Sequence, residues 1–265
     1  MIDANYHTHT FRCKHASGDI DDYCRAAVDC GLTTLGFSDH APLPDDRWPQ
    51  VRMGMDELRG YVDAIDSARS RFPQLTLLKG LEAEYVPELA SFYQDVFLGE
   101  FSMDYLVGGA HWYPHGGEWL SPYNTRPMDA MMLRSYSNYL IEGMQSGLFA
   151  FIAHPDLFAH AYHAWDEAAQ SCSRAMLQTA ADLKLPLEIN GYGLRKTPID
   201  TPTGRRPSYP WLPFWELAAS CGTRVIVNSD AHRPEDVNSM MAEALEIARR
   251  FGLQVVEPMG LLVHG

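Results

Sequence analysis

The sequence predicts an α/β fold in which seven parallel strands alternate with helices and close, or nearly close, into a barrel. Three observations lead there. Apolar runs of strand length alternate with longer stretches of helical period. The strand runs are almost continuously apolar, as strands covered by helices must be. Finally, a polar residue capable of chemistry stands at the end of nearly every run. An open doubly wound sheet would satisfy the first two equally well, but only closure brings all seven strand ends to one rim, the face where such architectures bind ligands.

In chain order the strand candidates are residues 4–9, 33–39, 75–82, 105–111, 149–154, 185–190 and 224–230. Ile20, Tyr23, Ala27 and Val28 form one helical stripe, and Leu58, Tyr61, Val62, Ile65 and Phe72 form the next. Gly31 and Pro73 stop these two helices, Gly147 stops one that starts near Met128, and Gly222 stops the one holding Trp215 and Leu217. The last helix is expected from about Glu235 to Phe251, ahead of Gly252. The proline-rich stretch 197–213 reads as a βα loop. With no repeat, flexible linker or low-complexity segment, residues 1–265 read as one domain, a length that a single (β/α) barrel fits.

Composition narrows the partners. The chain is 46% hydrophobic and 21% charged, as globular proteins are, and its formal charge of -13 argues against a surface that grips nucleic-acid phosphates. No run of about 18 apolar residues is present to span a membrane, and the charged segment 3–15 leaves no room for a secretory apolar core. Cys13, Cys24, Cys30, Cys172 and Cys221 are odd in number and scattered, which fits a reducing, cytoplasmic setting. The expected partner is therefore a small molecule, with neither nucleic acid nor membrane; oligomeric state is left open.

His9, His40, Glu82, His111, His154, Asn190, Asp230 and His232 all fall at or just past the end of an apolar run. In His7-Thr8-His9, residues two apart on a strand point the same way, so two imidazoles can grip one metal. Asp230-Ala231-His232 repeats that spacing on the last strand, next to the first in a closed barrel. A carboxylate at the end of a buried run is costly unless it is paired or binds a cation, so Glu82 is expected to bridge two ions. Glu84 shares its face, as support or as a rim carboxylate. Singly, His15, His40, His111 and His154 could each be a structural or solvated histidine; together they read as ligands. Cys13 reads as a small buried residue rather than a thiolate ligand. Seven histidines and two carboxylates exceed one coordination shell and suit two or three divalent transition metals, Zn, Mn or Fe. Such a centre is cationic and would attract a phosphate ester despite the acidic chain. Trp112, Tyr113, Trp119, Tyr123, Tyr162 and Tyr192 could line a pocket for an aromatic ring, or pack the loops.

At these residues the chain resembles the PHP (polymerase and histidinol phosphatase) family, in its histidinol-phosphate phosphatase branch. The likeness runs through Tyr6-His7-Thr8-His9-Thr10, Cys13-Lys14-His15, residues 36–43, Gly80-Leu81-Glu82, Val107 to His111, Ala153-His154-Pro155-Asp156, Glu188-Ile189-Asn190, Gly193-Leu194-Arg195-Lys196 and Asn228 to His232. It implies a distorted seven-stranded (β/α)7 barrel, TIM-barrel-like, with a trinuclear site. By that likeness His7, His9, Glu82 and Asp230 hold one metal, Glu82, His111 and His154 a second, and His15, His40 and His232 a third. Glu82, Asp230 and His232 are the implied catalytic ligands. Arg195 and Lys196 are the implied phosphate-binding pair, with Arg195 as a bidentate clamp. The implied activity is hydrolysis of L-histidinol phosphate, in histidine biosynthesis, by a hydroxide bridging two metals; a metal-bound water or Asp156 would protonate the leaving group. The alternative is a phosphatase or phosphodiesterase of the same family acting on another small ester or nucleotide. A nucleic-acid-processing role and a non-catalytic metal-binding role rank below both.

Overall fold

A computed structural model describes residues 2–123 and 127–258. The barrel strands are β1 (Ala4–Asn5), β2 (Thr34–Phe37), β3 (Thr76–Glu84), β4 (Tyr105–Gly109), β5 (Phe151–Ile152), β6 (Leu187–Asn190) and β7 (Arg224–Asn228). Neighbours in sequence are neighbours in space, every pairing is parallel, and an eighth short strand, β8 (Gln254–Val255), adds to β7. The ring closes at its C-terminal rim, where Thr8 bridges Ala231 in parallel and the His9 amide donates to the Ala231 carbonyl at 2.8 Å. Below that bridge the Asn5 amide spans the seam, donating to Ser229 Oγ and to the Val237 carbonyl, each at 2.7 Å. The result is the distorted seven-stranded barrel expected from the sequence, with β8 filling the widened seam at its base.

The helices that cover the barrel are α1 (Ile20–Asp29), α2 (Leu58–Arg71), α3 (Ala130–Gln145), α4 (Glu167–Leu183), α5 (Leu212–Cys221) and α6 (Met241–Arg250). Asp19 and Asp22 cap α1 reciprocally, Asp129 caps α3 and Asp166 caps α4, each satisfying amides that the first turn leaves free. The apolar stripe read for α1 is only partly inside: Ile20, Tyr23 and Ala27 are buried and Val28 is half-buried. The main core lies between the barrel and these helices. A smaller one fills the barrel below the rim, where Tyr105 lies across the interior and donates to the Tyr6 carbonyl at 2.7 Å. Gly36 and Gly80 make room for that ring, since a Cβ on either would collide with it.

One local expectation changes, and two elements are added to the outline. The last helix starts at Met241, not near Glu235, because Pro234–Asp236 forms a separate 3-10 turn and Met240 is left-handed. A tertiary contact accompanies that break: the Ser239 carbonyl is held by Arg195. The stretch 197–213 is not wholly irregular, since Ile199–Thr201 and Gly204–Arg206 form a hairpin. Strand β8 was not anticipated at all. No helix among the described residues is long and apolar enough to cross a membrane.

Candidate metal centre

Each strand delivers its polar residue to the closed rim. Glu82, near the end of β3, is 1% exposed and sits at the centre. Its Oε2 lies 3.4 Å from His7 Nε2, 3.5 Å from His9 Nε2 and 3.2 Å from His40 Nδ1, while Oε1 lies 3.1 Å from His154 Nε2 and 3.6 Å from His111 Nε2. His40 is brought there by a one-residue bridge between His40 and Glu82 beyond the end of β2. Gly109 keeps the space open, because a Cβ there would stand 2.8 Å from Glu82 Oε1. Asp230 Oδ1 lies 3.2 Å from His9 Nε2, 3.7 Å from His7 Nε2 and 3.4 Å from His232 Nδ1. Both Asp230 (φ 51°) and His154 (φ 30°) adopt left-handed backbone, the kind of local strain that recurs at functional sites. All nine residues singled out in the sequence thus gather around one cleft.

The donor atoms fit divalent cations. Buried and without a hydrogen-bond partner among the described residues are His7 Nε2, both ring nitrogens of His9, His40 Nδ1, both oxygens of Glu82 and Asp230 Oδ1. Leaving so many converging polar atoms unpaired would be prohibitive, whereas cations would satisfy them together. His15 and His232 make the sharper case. His15 Nδ1 faces the Cys13 carbonyl at 2.7 Å and His232 Nδ1 faces the Asp230 carbonyl at 3.1 Å. A carbonyl only accepts, so each Nδ1 carries the proton, and the two Nε2 lone pairs then confront each other at 3.1 Å. Burial lowers the pKa of both rings, as does the neighbouring His9, which favours neutral imidazoles. Burial and His9 likewise hold His40 well below the usual histidine range. Compact triplets of donors are His7, His9 and Asp230; His40, Glu82 and His111; His9, His40 and His232; and Cys13, His15 and His232.

Two further carboxylates orient these side chains; the sequence reading offered Glu84 as a support and passed over Glu188. Glu188, buried on β6, accepts from His7 Nδ1 at 2.8 Å, from the His154 amide and from the side chains of Asn190 and Asn228. Glu84 accepts from His111 Nδ1 at 3.0 Å and pairs with the buried Arg52 at 2.9 Å. Such partners fix the tautomer of a metal-binding imidazole. Burial works against a proton on His7, but Glu188, Asp230 and Glu82 outweigh it and raise its pKa. Asn190, noticed only as a strand-end residue, donates to both Glu188 and Asp230. The signal for Glu188 was its place two residues before Asn190 on the same strand face.

The cleft itself, about 290 Å³, is lined by the metal-site residues other than His7 and His154, which lie behind it, together with Val51, Trp112, Ser121, Tyr123, Tyr192 and Lys196. Of the six aromatics considered for it, Trp112, Tyr123 and Tyr192 line it. Tyr113 is buried against Tyr136, Trp119 packs on Trp48 and Tyr139, and Tyr162 donates to Asp166. The two basic residues part company. Lys196 Nζ lies 4.5 Å from the ring centres of both Tyr123 and Tyr192 and faces the cleft. Arg195 instead spends its fork on main chain, donating to the carbonyls of Ser229 (3.0 Å), Asp230 (3.0 Å) and Ser239 (3.1 Å). It borders a neighbouring cavity beside His15 and His232. Three of its five N–H groups are thus held by main chain, and its Nε lies 3.7 Å from Asp236 Oδ2. Asp156 accepts from the Trp211 amide and the Trp215 indole and does not line the cleft.

Residues 5–191 match the PHP domain family. A protein of Deinococcus radiodurans named probable histidinol-phosphatase is 32% identical over 258 residues, covering 94% of each chain. Another of that name from Schizosaccharomyces pombe is 22% identical, covering 89% of this chain and 82% of its own. In fold, the chain is similar to the crystal structure of a histidinol phosphate phosphatase of Lactococcus lactis, complexed with Zn, L-histidinol and phosphate (TM-score 0.76, 15% identity, 97% of both chains covered). With its barrel, its strand-end ligands and a family match over more than half its length, this chain belongs to the PHP domain family.

Proposed function

We propose that this protein is a metal-dependent phosphomonoesterase that hydrolyses L-histidinol phosphate to L-histidinol and phosphate. The observation that carries the reading is the set of unpaired imidazole and carboxylate atoms converging on a cleft that also holds an unneutralised lysine. The near full-length similarity to a relative named for histidinol phosphate chemistry supports the substrate.

In this reading two to three ions, Zn, Mn or Fe, are held by His7, His9, Glu82 and Asp230; by Glu82, His111 and His154, with His40 close by; and by His15, His40 and His232. When bound, they lower the pKa of water and offset charge on the phosphoryl oxygens. Glu82 faces imidazoles with both oxygens and so sets the spacing of two of the groups. Asp230 and His232, two apart, tie the first group to the third. Glu188 and Glu84 keep Nδ1 of His7 and His111 protonated and leave Nε2 to coordinate. These carboxylates also lower the net positive charge of the centre below what two ligating carboxylates alone would give, which makes Lys196 more important as a cation facing the phosphate. Arg195 fixes the left-handed turn that presents Asp230. Trp112, Tyr123 and Tyr192 offer faces for the imidazole of the substrate, so that contacts remote from phosphorus can orient it.

The test is a phosphate-release screen over phosphomonoesters and phosphodiesters with defined metals. A monoester offers a dianion that can span the ions, whereas a diester is a monoanion with a second bulky arm. Histidinol phosphate is expected to lead, ahead of an analogue lacking the imidazole. A preference for a nucleotide diester would overturn the assigned substrate, and full activity in verified metal-free protein would overturn the chemistry.

A further inference from the structure

Behind the cleft lies a buried cation that the reaction as described does not use. Arg52 is 2% exposed, follows the turn Pro49–Val51, and is held between two supports of the metal site. One guanidinium nitrogen donates to the Ala41 carbonyl at 2.7 Å, on the residue after His40. Another donates to Glu84 Oε2 at 2.9 Å, and the other oxygen of Glu84 accepts from His111 Nδ1 at 3.0 Å. His40, Glu82 and His111 form one of the donor triplets. Two of its three members are thus backed by a single guanidinium, His40 through the adjacent Ala41 carbonyl and His111 through Glu84.

A buried ion pair is weak support for stability, since its desolvation often cancels its attraction and an apolar pair of equal volume can do as well. What an apolar pair cannot do is keep a carboxylate aimed at the imidazole. Without Arg52, Glu84 would be a buried carboxylate with one partner fewer, free to rotate or take up a proton. His111 would then lose the acceptor that fixes its ring plane and its Nδ1–H tautomer. The loop carrying His40 would lose its donor in the same event.

We propose that Arg52 is a positioning residue for the cation group of Glu82, His111 and His154, acting on His111 through Glu84 and steadying the neighbouring His40 through the Ala41 carbonyl. The inference rests on the metal-dependent reading above and concerns how tightly one ion is held. It is tested by loading wild type, R52M, R52K, E84Q and the R52M/E84Q double variant with zinc. Each is then dialysed against a graded series of chelator concentrations, and the metal retained is counted. The expected result for R52M is release of the equivalent held by Glu82, His111 and His154 at chelator levels about 10- to 100-fold lower, the usual effect of losing such a partner, with the one held by His7, His9 and Asp230 unmoved. R52K should recover part of that loss. E84Q should lose the same equivalent, and the double variant should be no worse than the worse single, because the two residues act in series. Should R52M fail to fold, E84Q alone decides: release of one equivalent supports the proposal and wild-type retention overturns it. A folded R52M that retains every equivalent as wild type does, or additive losses in the double variant, would also overturn it while leaving the proposed function standing. Wild-type protein that holds none of zinc, manganese or iron would overturn both.

Discussion

Lys196 and Arg195 are adjacent in sequence, carry the same charge, and by family likeness share one role, yet their surroundings differ enough to separate them by measurement. Lys196 Nζ faces the cleft between two tyrosine rings, and no carboxylate pairs with it among the described residues. Replacing it with Met keeps most of the aliphatic stem and removes one charge-assisted contact to a phosphate, worth roughly 1.5–3 kcal/mol. That corresponds to a loss of about 10- to 150-fold in kcat/KM for histidinol phosphate. Metal content and Tm should hold. Arg195→Met instead strands three carbonyls, at Ser229, Asp230 and Ser239. At roughly 1 kcal/mol each after allowing for partial exposure, about 3 kcal/mol of stability should go, a Tm decrease on the order of 5–10 °C. Activity falls there too, but with weaker retention of metal, because the turn carrying Asp230 loosens. Burial lowers the Lys196 pKa from its ordinary value, so wild-type kcat/KM should decline on the alkaline side earlier than for a solvated lysine. Lys196→Met should lack that limb. The assays are steady-state kinetics against pH, metal analysis and thermal melting at saturating metal. Unchanged kinetics in Lys196→Met, with lost activity and unchanged Tm and metal content in Arg195→Met, would refute the reasoning and return the phosphate contact to the guanidinium.

Two further outcomes are expected. Glu82→Gln should release more than one metal equivalent and lower activity further than His15→Ala, since Glu82 faces five imidazoles while His15, at the rim, faces only that of His232 at close range; metal analysis and kinetics showing the reverse order would contradict the bridging role. Burial pushes the Asp156 carboxyl up to about 7 from an ordinary 3.8, so it favours the folded state while protonated, and that contribution is lost as pH rises through 7. Asp156→Asn should therefore shrink the difference in urea-unfolding free energy between pH 5 and pH 8, by about 2.5 kcal/mol, and parallel pH curves for the two proteins would contradict this.

How much of this was legible in the sequence depends on what kind of contact each feature needs. The ligands were legible because strand geometry is local: period two explains His7 with His9 and Asp230 with His232, and a parallel barrel sends every strand end to one rim. The helix stops at Gly31, Gly147 and Gly222 were legible for the same reason, each being left-handed as a terminating glycine should be. Strand β8 was not, because two exposed residues carry no periodicity and only the widened seam beside β7 recruits them. Nor was the start of α6, where Arg195, reaching from 44 residues earlier in the chain, holds the Ser239 carbonyl ahead of the helix.

The same distinction separates Arg195 from the strand-end residues. A metal ligand is defined by where its strand ends, and the backbone alone decides that. A cation that serves a phosphate is defined by what else competes for its donors, and competition is a tertiary fact. Arg195 and Arg52 are both drawn to main-chain carbonyls by the turns that present Asp230 and His40, and a five-donor fork is well suited to holding such turns. Lysine, a point charge on a flexible stem, is poorly suited to that work and stays available to the cleft. Arginine as scaffold and lysine as contact is therefore the division of labour that the donor geometry itself favours, and the paired kinetics of Lys196→Met and Arg195→Met decide between it and a phosphate contact at the guanidinium.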